Sequence, residues 1–319
     1  MISIIIPVFN SENTIETLVN GIAKVLGDHY QFEVLLINDS SEDDSEEKCK
    51  QLVEKYLNVS LFSLSKNVGE HNAIMAGLNK CSGDYAVIMS DDLQHSANAL
   101  LELIKYGIKE KDNFDVIYTY YDKKKYSFLK NIGSKFNDIV ANFLLNKPKH
   151  LYLSSFKLIN RFLITEIIKY QSPFTYIDGI ILGITNKIGV IKAEHSHRMQ
   201  GKSGYTLIKM LQLWSNMSTS FSIFPLRLSL LMGSILSFIG FILAIYFFIE
   251  KIIDNTVPSG FASIFIAVTI FSGAILIALG LIGEYVGRIF ISLNKKPQFV
   301  IRNSFTNKKN DTIKSTKKS

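Results

Sequence analysis

The sequence predicts an α/β protein with a mainly parallel sheet and helices on both of its faces, followed by a two-helix transmembrane hairpin. Three observations support this fold class. Apolar runs alternate with helical patterns through the first 120 residues, polar residues follow four consecutive apolar runs, and two long stretches without charge lie nearer the C-terminus. Continuous apolar strands that alternate with helices are typical of a parallel sheet that is covered on both faces.

The elements of the first 120 residues follow from their hydrophobic periodicity. The apolar runs that predict strands are Ser3–Val8, Phe32–Asn38, Val59–Ser65, Tyr85–Ser90 and Val116–Tyr120. The patterns that predict helices lie between them, at Thr14–Leu26, Ser45–Tyr56, Glu70–Lys80 and Ala97–Ile108. The chain shows no internal repeat that would indicate a solenoid or a propeller.

Two stretches in the C-terminal third carry no charged residue. Residues 228–249 form a run of 22, and residues 255–283 form a run of 29. At about 1.5 Å per residue, the shorter run spans ~33 Å, enough to cross the hydrocarbon core of a bilayer. We therefore expect membrane helices at about 228–249 and 261–283, with a short link that contains Pro258; the alternative is a pair of buried core helices.

Charge is distributed unevenly along the 319 residues. Thirty-five basic and 28 acidic residues give a net charge of +7, and residues 294–319 alone account for this excess. The rest is neutral, which argues against a nucleic-acid-binding domain. The positive-inside rule places the N-terminal domain and both termini in the cytoplasm. Two cysteines are too few for a disulfide framework or a zinc cluster.

These features predict four regions. Residues 1–205 form a cytoplasmic globular domain, and residues 206–225 form an amphipathic helix in the membrane interface or, alternatively, a core helix of that domain. Residues 226–291 hold the two membrane helices. Residues 292–319 form a basic cytoplasmic tail that contacts anionic membrane lipids or stays solvated.

The polar residues that follow the first four strands predict a binding site. They are Pro7–Asn10, Asn38–Ser41, Lys66–Gly69 and Asp91–Gln94. Taken singly, Asp39 is also a candidate helix N-cap, and the Asp91–Asp92 pair a candidate turn or cap. Because ligands of open α/β sheets bind beyond the carboxyl ends of the strands, the joint pattern favours a site for a divalent cation and a phosphate ester. Neither a G-x-G-x-x-G motif after the first strand nor a P-loop motif occurs, which argues against dinucleotide oxidoreductases and P-loop NTPases.

The same residues resemble a known family. Ile4–Asn10, Ile37–Ser41, Leu64–Gly69 and Asp91–Gln94 are similar to glycosyltransferase family 2. Arg198–Tyr205, Gly280–Arg288 and Tyr176–Gly179 resemble the branch of polyprenyl-phosphate glycosyltransferases, relatives of dolichol-phosphate mannose synthase and of the undecaprenyl-phosphate sugar transferases, with two C-terminal membrane helices. The resemblance covers about residues 2–302.

The resemblance implies a GT-A-like nucleotide-diphospho-sugar transferase fold and a metal-dependent enzyme of the cell membrane. It would move one sugar from a nucleotide sugar to undecaprenyl phosphate or a similar polyprenyl phosphate, with inversion, and it allows a homo-oligomer. The lipid-linked sugar would serve a glycan or lipid modification of the cell envelope. Two alternatives stay open: a processive polysaccharide synthase, and a catalytically degenerate membrane scaffold.

The resemblance also implies roles for individual residues. Donor binding falls to Pro7, Phe9, Asp39, Lys66 and Asn67; Mg²⁺ or Mn²⁺ binding to Asp91, Asp92 and Gln94; and acceptor-phosphate binding to Arg198, Lys202, Ser203 and Tyr205. Catalytic roles go to Asp91, Asp92, Asp178 and Arg198. Two positions depart from the family pattern, because Ser90 replaces the first acid of its D-x-D motif and Ser155 replaces an acid that many relatives carry.

Several interpretations remain open at this level. Arg198 is alternatively a membrane-surface contact, and Asp178 either positions the acceptor or caps a turn. His195 and His197 are a candidate metal pair, but strand-face or headgroup contacts are the favoured interpretation. Glu284 and Arg288 have the spacing of an i,i+4 ion pair, and Gly283 and Gly287 permit close helix contact.

Overall fold

A computed structural model describes residues 1–120, 151–193, 224–253, 260–294 and 296–307 of the chain. The chain divides into two compact units. The first comprises Met1–Tyr205 together with Lys295–Ser319, and the second comprises Thr206–Asn294.

The first unit is built on an eight-stranded sheet with the order β7-β5-β6-β4-β1-β2-β3-β8. The strands are β1 (Ile2–Val8), β2 (Phe32–Asn38), β3 (Val59–Leu64), β4 (Tyr85–Ile88), β5 (Val116–Tyr120), β6 (Lys157–Asn160), β7 (Ile188–Lys192) and β8 (Ile301–Thr306). The helices are α1 (Ile15–Leu26), α2 (Ser45–Lys55), α3 (Glu70–Lys80), α4 (Ala97–Lys109), α5 (Arg161–Ile167) and α6 (Ile177–Ile184).

The central strands confirm the predicted parallel arrangement. β1 pairs in parallel with β2 and β4, and β2 pairs in parallel with β3. The flanks are mixed, because β6 is antiparallel to both β4 and β5 and β8 is antiparallel to β3, whereas β7 is parallel to β5. The sheet is therefore mixed, with its four parallel central strands ending at one common edge.

Both faces of the central strands are buried. Ile4 and Ile6 of β1 belong to one apolar cluster with residues of α1, α2 and α4. Ile5 points to the other face, where α3 lies so close that a Cβ on Gly77 would overlap the Ile5 side chain. The strands are thus apolar at successive positions because each face meets a helix layer.

β8 lies in a region that the sequence analysis assigned to a basic tail. Residues Ile301–Thr306 pair with β3 from Ser60 to Leu64, and the ring of Phe305 packs against the apolar cluster of the first unit. Ile301 and Phe305 are half-buried while the three residues between them are exposed, and the strand covers the open edge of β3. The segment after the apolar helices is therefore part of the globular unit.

The second unit contains two long helices, α7 (Phe224–Ile253) and α8 (Phe261–Leu293). They contact each other, and Gly240 of α7 lies against the ring of Phe271, where a Cβ would approach to 2.9 Å. Within the described helices, one span, Ile270–Ile291, is long and apolar enough to cross a membrane, and Ser229–Ile242 is a shorter apolar stretch. The predicted hairpin is therefore supported at one of its two spans. The greater part of the predicted interfacial helix, residues 206–223, lies outside the described residues.

Two features predicted for α8 can be compared with the structure. The i,i+4 ion pair is confirmed, because Arg288 Nε donates a hydrogen bond of 2.8 Å to Glu284 Oε1. A Cβ on Gly283 or Gly287 would meet nothing within 4 Å in the described part of the chain. These glycines therefore make no close helix contact among the described residues.

Candidate active site

The four parallel strands end in loops that share an unusual backbone feature. Asn10 follows β1 with φ of 55°, Ser40 follows β2 with 60°, Gly69 follows β3 with 86°, and Leu93 follows β4 with 59°. Residues with a Cβ, and bulky ones such as leucine above all, rarely adopt positive φ, and such strain concentrates at functional sites. The residues with positive φ therefore lie at the same edge of the sheet that the sequence predicts to be the binding site.

Asp39 connects the loops that follow β2 and β3. Its side chain is buried; Oδ1 accepts the Val68 N–H at 2.8 Å, and Oδ2 accepts the Gly69 N–H at 2.9 Å. Burial raises the pKa of Asp39, and the two backbone hydrogen bonds partly offset this rise. The alternative of a helix cap is wrong, because α2 begins at Ser45 behind Asp44. Asp39 thus shapes the loop that presents Lys66 and Asn67.

Asp91 is held against the end of β1. Its Oδ2 accepts the Phe9 N–H at 3.2 Å and also accepts a short hydrogen bond from the Ser11 hydroxyl. Burial raises the pKa of Asp91, the bonds from Ser11 and Phe9 lower it, and the neighbouring Asp92 raises it. Ser11 was not predicted from the sequence, since a serine beyond a strand end gives no signal of its own.

Asp92 and Gln94 form a second pair in the same loop. Asp92 Oδ2 accepts from Gln94 Nε2 at 2.6 Å, and Asp92 Oδ1 accepts the Gln94 N–H at 3.2 Å. The cap alternative is wrong here as well, because Ser96 caps α4 through its hydrogen bond from the Ala99 N–H. Asp92 and Gln94 thus lie side by side at the sheet edge.

This pair fits a hard divalent cation. Turning the Gln94 amide would bring its oxygen beside the Asp92 carboxylate, at nearly the ~3 Å separation of two ligands in an octahedral Mg²⁺ shell. No cluster of three His, Cys, Asp or Glu side chains is found among the described residues. A cation here would therefore have few protein ligands, as Mg²⁺ commonly has where substrate phosphates complete the shell.

The two departures from the family pattern lie together. Ser90 Oγ donates a hydrogen bond of 3.2 Å to Ser155 Oγ. Both positions stand out in the sequence, but nothing in it indicates that they touch, because they are 65 residues apart. A neutral hydroxyl pair therefore stands where these two departures meet.

Asp178 lies in a buried polar cluster with Tyr118 and Lys157. Its Oδ1 accepts a hydrogen bond from Tyr118 Oη at 2.8 Å and makes a short ion pair with Lys157 Nζ. The Lys157 ammonium lies 5.1 Å from the centre of the Tyr118 ring. Asp178 lies within the first turn of α6, whose N-cap residue is Tyr176, and its carboxylate bonds Tyr118 and Lys157 rather than capping a turn. Neither Lys157 nor Tyr118 was predicted from the sequence.

A neutral histidine borders this cluster. The ring of His71 meets Tyr176 edge-on with 5.0 Å between centroids, and its Nδ1 has no partner among the described residues. Burial lowers the pKa of His71 to about 4; Asp178 raises it and Lys157 lowers it. His71 is therefore neutral at physiological pH, as expected for a packed residue at the start of α3.

The predicted donor residues occupy the same edge. Phe9 follows β1 and is 46% exposed, which leaves a ring face accessible for stacking on a base. Pro7 is half-buried in β1, while Lys66 and Asn67 are exposed at the tip of the loop after β3. The structure thus brings Phe9, Asp39, Lys66, Asp91 and Asp92 to one edge.

Other predicted residues cannot be placed. Arg198, Lys202, Ser203, Tyr205, His195 and His197 lie outside the described residues.

Both cysteines are free and buried, and burial raises the pKa of the Cys49 thiol to about 12. Cysteine is thereby excluded as the nucleophile of this site.

The fold resembles that of a solved sugar transferase. A structure of glucosyl-3-phosphoglycerate synthase from Mycobacterium tuberculosis, with Mn²⁺, UDP-glucose and phosphoglyceric acid, matches with a TM-score of 0.50 at 14% identity. The match covers 69% of this chain and 78% of that chain. Together with the strand-end site, it defines a GT-A-like nucleotide-sugar transferase fold.

The family follows from the sequence itself. The model of Glycosyl transferase family 2 matches residues 3–168, so the chain belongs to this family and is a glycosyltransferase. It is 28% identical over 317 residues to an undecaprenyl-phosphate 4-deoxy-4-formamido-L-arabinose transferase of Photorhabdus laumondii, covering 97% of this chain and 96% of that protein. It is also 28% identical to an uncharacterized glycosyltransferase, YkcC, of Bacillus subtilis, covering 95% and 94%. The resemblance found from the motifs is confirmed.

Proposed function

We propose that this glycosyltransferase transfers one sugar from a nucleotide-diphosphate sugar to a polyprenyl phosphate, with inversion, at the cytoplasmic face of the cell membrane. One observation carries the proposal. The same chain contains the Asp92–Gln94 pair at a strained sheet edge and two long apolar helices with exposed side chains. Similarity over nearly the whole length to a transferase named for undecaprenyl phosphate supports the same acceptor class.

The topology supports a membrane hairpin. α7 and α8 lie in the chain between β7 and β8, and both strands belong to the sheet of the first unit. A segment that leaves one globular unit and returns to it must cross a membrane an even number of times. The excess of basic residues beside the outer ends of the two helices favours a cytoplasmic location for that unit.

The proposed reaction is a displacement at the anomeric carbon. An oxygen of the lipid phosphate forms a bond to this carbon while the bond to the donor diphosphate breaks, and the nucleoside diphosphate leaves with the electron pair. The attacking phosphate is already anionic near neutral pH, so the reaction needs no strong base. This is consistent with the uncharged Ser90–Ser155 pair.

The reaction requires the site to hold two anions close together, the diphosphate of the donor and the phosphate of the acceptor. Phe9 would stack on the base, and Lys66 would lie against the diphosphate. Asp92 and Gln94, with Asp91 beside them, would hold Mg²⁺ or Mn²⁺, which when bound neutralises charge on the diphosphate. Arg198, Lys202, Ser203 and Tyr205 are proposed to contact the acceptor phosphate.

A transfer assay tests this function. Purified full-length protein in detergent receives undecaprenyl phosphate, a panel of labelled nucleotide sugars and Mg²⁺ or Mn²⁺, and label is measured in the organic phase. We expect one donor to give product that disappears with chelator and in Asp92→Asn. The control, Asp28→Asn, changes an exposed aspartate at the opposite edge and should leave activity unchanged. Absence of product with every donor, although nucleotides bind, would contradict the acceptor assignment.

A further inference from the structure

The short segment between α8 and β8 contacts two loops of the candidate active site. The Val300 carbonyl accepts a hydrogen bond from the Ser65 N–H at 2.8 Å. Two residues earlier, Gln298 Nε2 donates to the carbonyl oxygens of Tyr170 and Ser172, each at 2.8 Å. We call residues 298–300 the bridge segment, because it connects the loop after β3 with the loop before α6.

The first of these loops, residues 65–69, is the donor loop. Val300 holds it at Ser65, and the Asp39 carboxylate holds it at Val68 and Gly69. Lys66, the residue proposed to face the diphosphate, is exposed between these two attachment points. The position of its backbone therefore depends on both ends of the loop.

The second loop, residues 170–176, leads into α6 and to Asp178. Both hydrogens of the Gln298 amide are used, because its nitrogen donates to two carbonyls of one turn. A further amide joins the two loops, since Asn72 Nδ2 donates to Val68 O at 3.0 Å and to Pro173 O at 3.4 Å. Asn72 thus links the second loop to the donor loop by hydrogen bonds to both.

We propose that Gln298 is a positioning residue for the nucleotide-sugar donor. Through the second loop and Asn72, it keeps the donor loop in the conformation that presents Lys66. The inference rests on the proposed function, and it assigns a role to a segment that begins five residues after the end of α8. When the loops are pre-ordered, donor binding does not have to supply their ordering entropy.

Kinetics with the full-length protein in detergent test this role. In Gln298→Ala, we expect the KM for the nucleotide sugar to rise by about fivefold or more, while kcat stays within roughly twofold of the wild type. The reason is that the variant loses the two neutral hydrogen bonds that hold the second loop in place. Gln298→Lys keeps a donor for both carbonyls and should restore most of the donor KM. Asn303→Ala removes an exposed amide from β8 and serves as the matched control, with no expected change.

Hydrogen exchange provides a readout that does not depend on activity. In Gln298→Ala, amides of residues 65–69 and 170–176 should exchange faster, while those of β1 and β2 keep their protection. Unchanged exchange in both loops, a fall in kcat at constant donor KM, or faster exchange throughout the sheet would each overturn the proposal. If the wild type transfers no sugar, the proposed function fails. The role of Gln298 is then still decided by hydrogen exchange of the two loops and by calorimetric binding of nucleoside diphosphates to the wild type and to Gln298→Ala.

Discussion

The buried ion pair between Lys157 and Asp178 leads to a quantitative prediction for stability. The two side chains are 3% and 9% exposed, and Tyr118 donates to the same carboxylate oxygen. Asp178→Asn keeps the size of the side chain and an acceptor for Tyr118, but it removes the carboxylate with which the buried Lys157 ammonium forms its ion pair. Removal of one partner of a buried pair costs about 3–5 kcal/mol.

The size of this loss makes it measurable by thermal unfolding. For a domain of this size, 1 kcal/mol corresponds to ~2–4 °C in Tm, so Asp178→Asn should lower the Tm by roughly 10 °C. Lys157→Met should also destabilise, because it leaves the carboxylate unpaired. The double variant removes both charges, and we expect it to lose at least ~2 kcal/mol less than the sum of the single variants.

Full-length protein in detergent is heated while intrinsic fluorescence is recorded, with Asp28→Asn as a surface control. A shift below about 2 °C for Asp178→Asn would refute the argument, since it would mean that the ammonium does not depend on this carboxylate in the folded protein. Strict additivity in the double variant would refute it too, because two groups that interact directly must show coupling.

Three further predictions concern the strand-end site. Asp39→Asn can accept only one of the two backbone N–H groups, so it should cost about 1–3 kcal/mol of unfolding free energy and weaken nucleotide binding, measured by thermal melts and calorimetry. Burial lowers the pKa of His71 to about 4, so the unfolded chain binds more protons between pH 4 and 6.5. Stability should therefore fall as pH drops through this window, by at most ~3 kcal/mol, and melts of His71→Gln should show a smaller slope. Phe9→Ala should raise the KM for the nucleotide sugar about tenfold with little change in kcat, since a stacked base contributes ~1–3 kcal/mol; an unchanged KM would exclude Phe9 from the base pocket.

The central strands and their helices could be predicted because local patterns determine them. β1 and β2 coincide with the predicted runs to within one residue, and the predicted helix Glu70–Lys80 is α3. A strand that is buried on both faces must be apolar at successive positions, and this pattern is readable in a single sequence. The positions of Asp39 and Asp92 at strand ends could be predicted for the same reason, because the apolar runs show where each strand ends.

β6 and β8 could not be predicted in this way. β6 has four residues and contains Lys157, and β8 is a polar edge strand with only Ile301 and Phe305 turned inward. Their pairing depends on partners far away in the chain, and such contacts leave no periodic signal. For this reason the alternation predicted the parallel central strands but not the antiparallel pairings of β6 and β8 at the flanks.

The sequence by itself determined the α/β class, the binding edge of the sheet and the presence of long apolar helices, because each follows from residues that are neighbours in the chain. Only the tertiary structure decided that Ser90 meets Ser155, that Asp178 pairs with Lys157, and that Gln298 reaches the loop before α6. These contacts join segments that lie 21 to 128 residues apart. Such pairs become neighbours only when the packed sheet closes the loops between them.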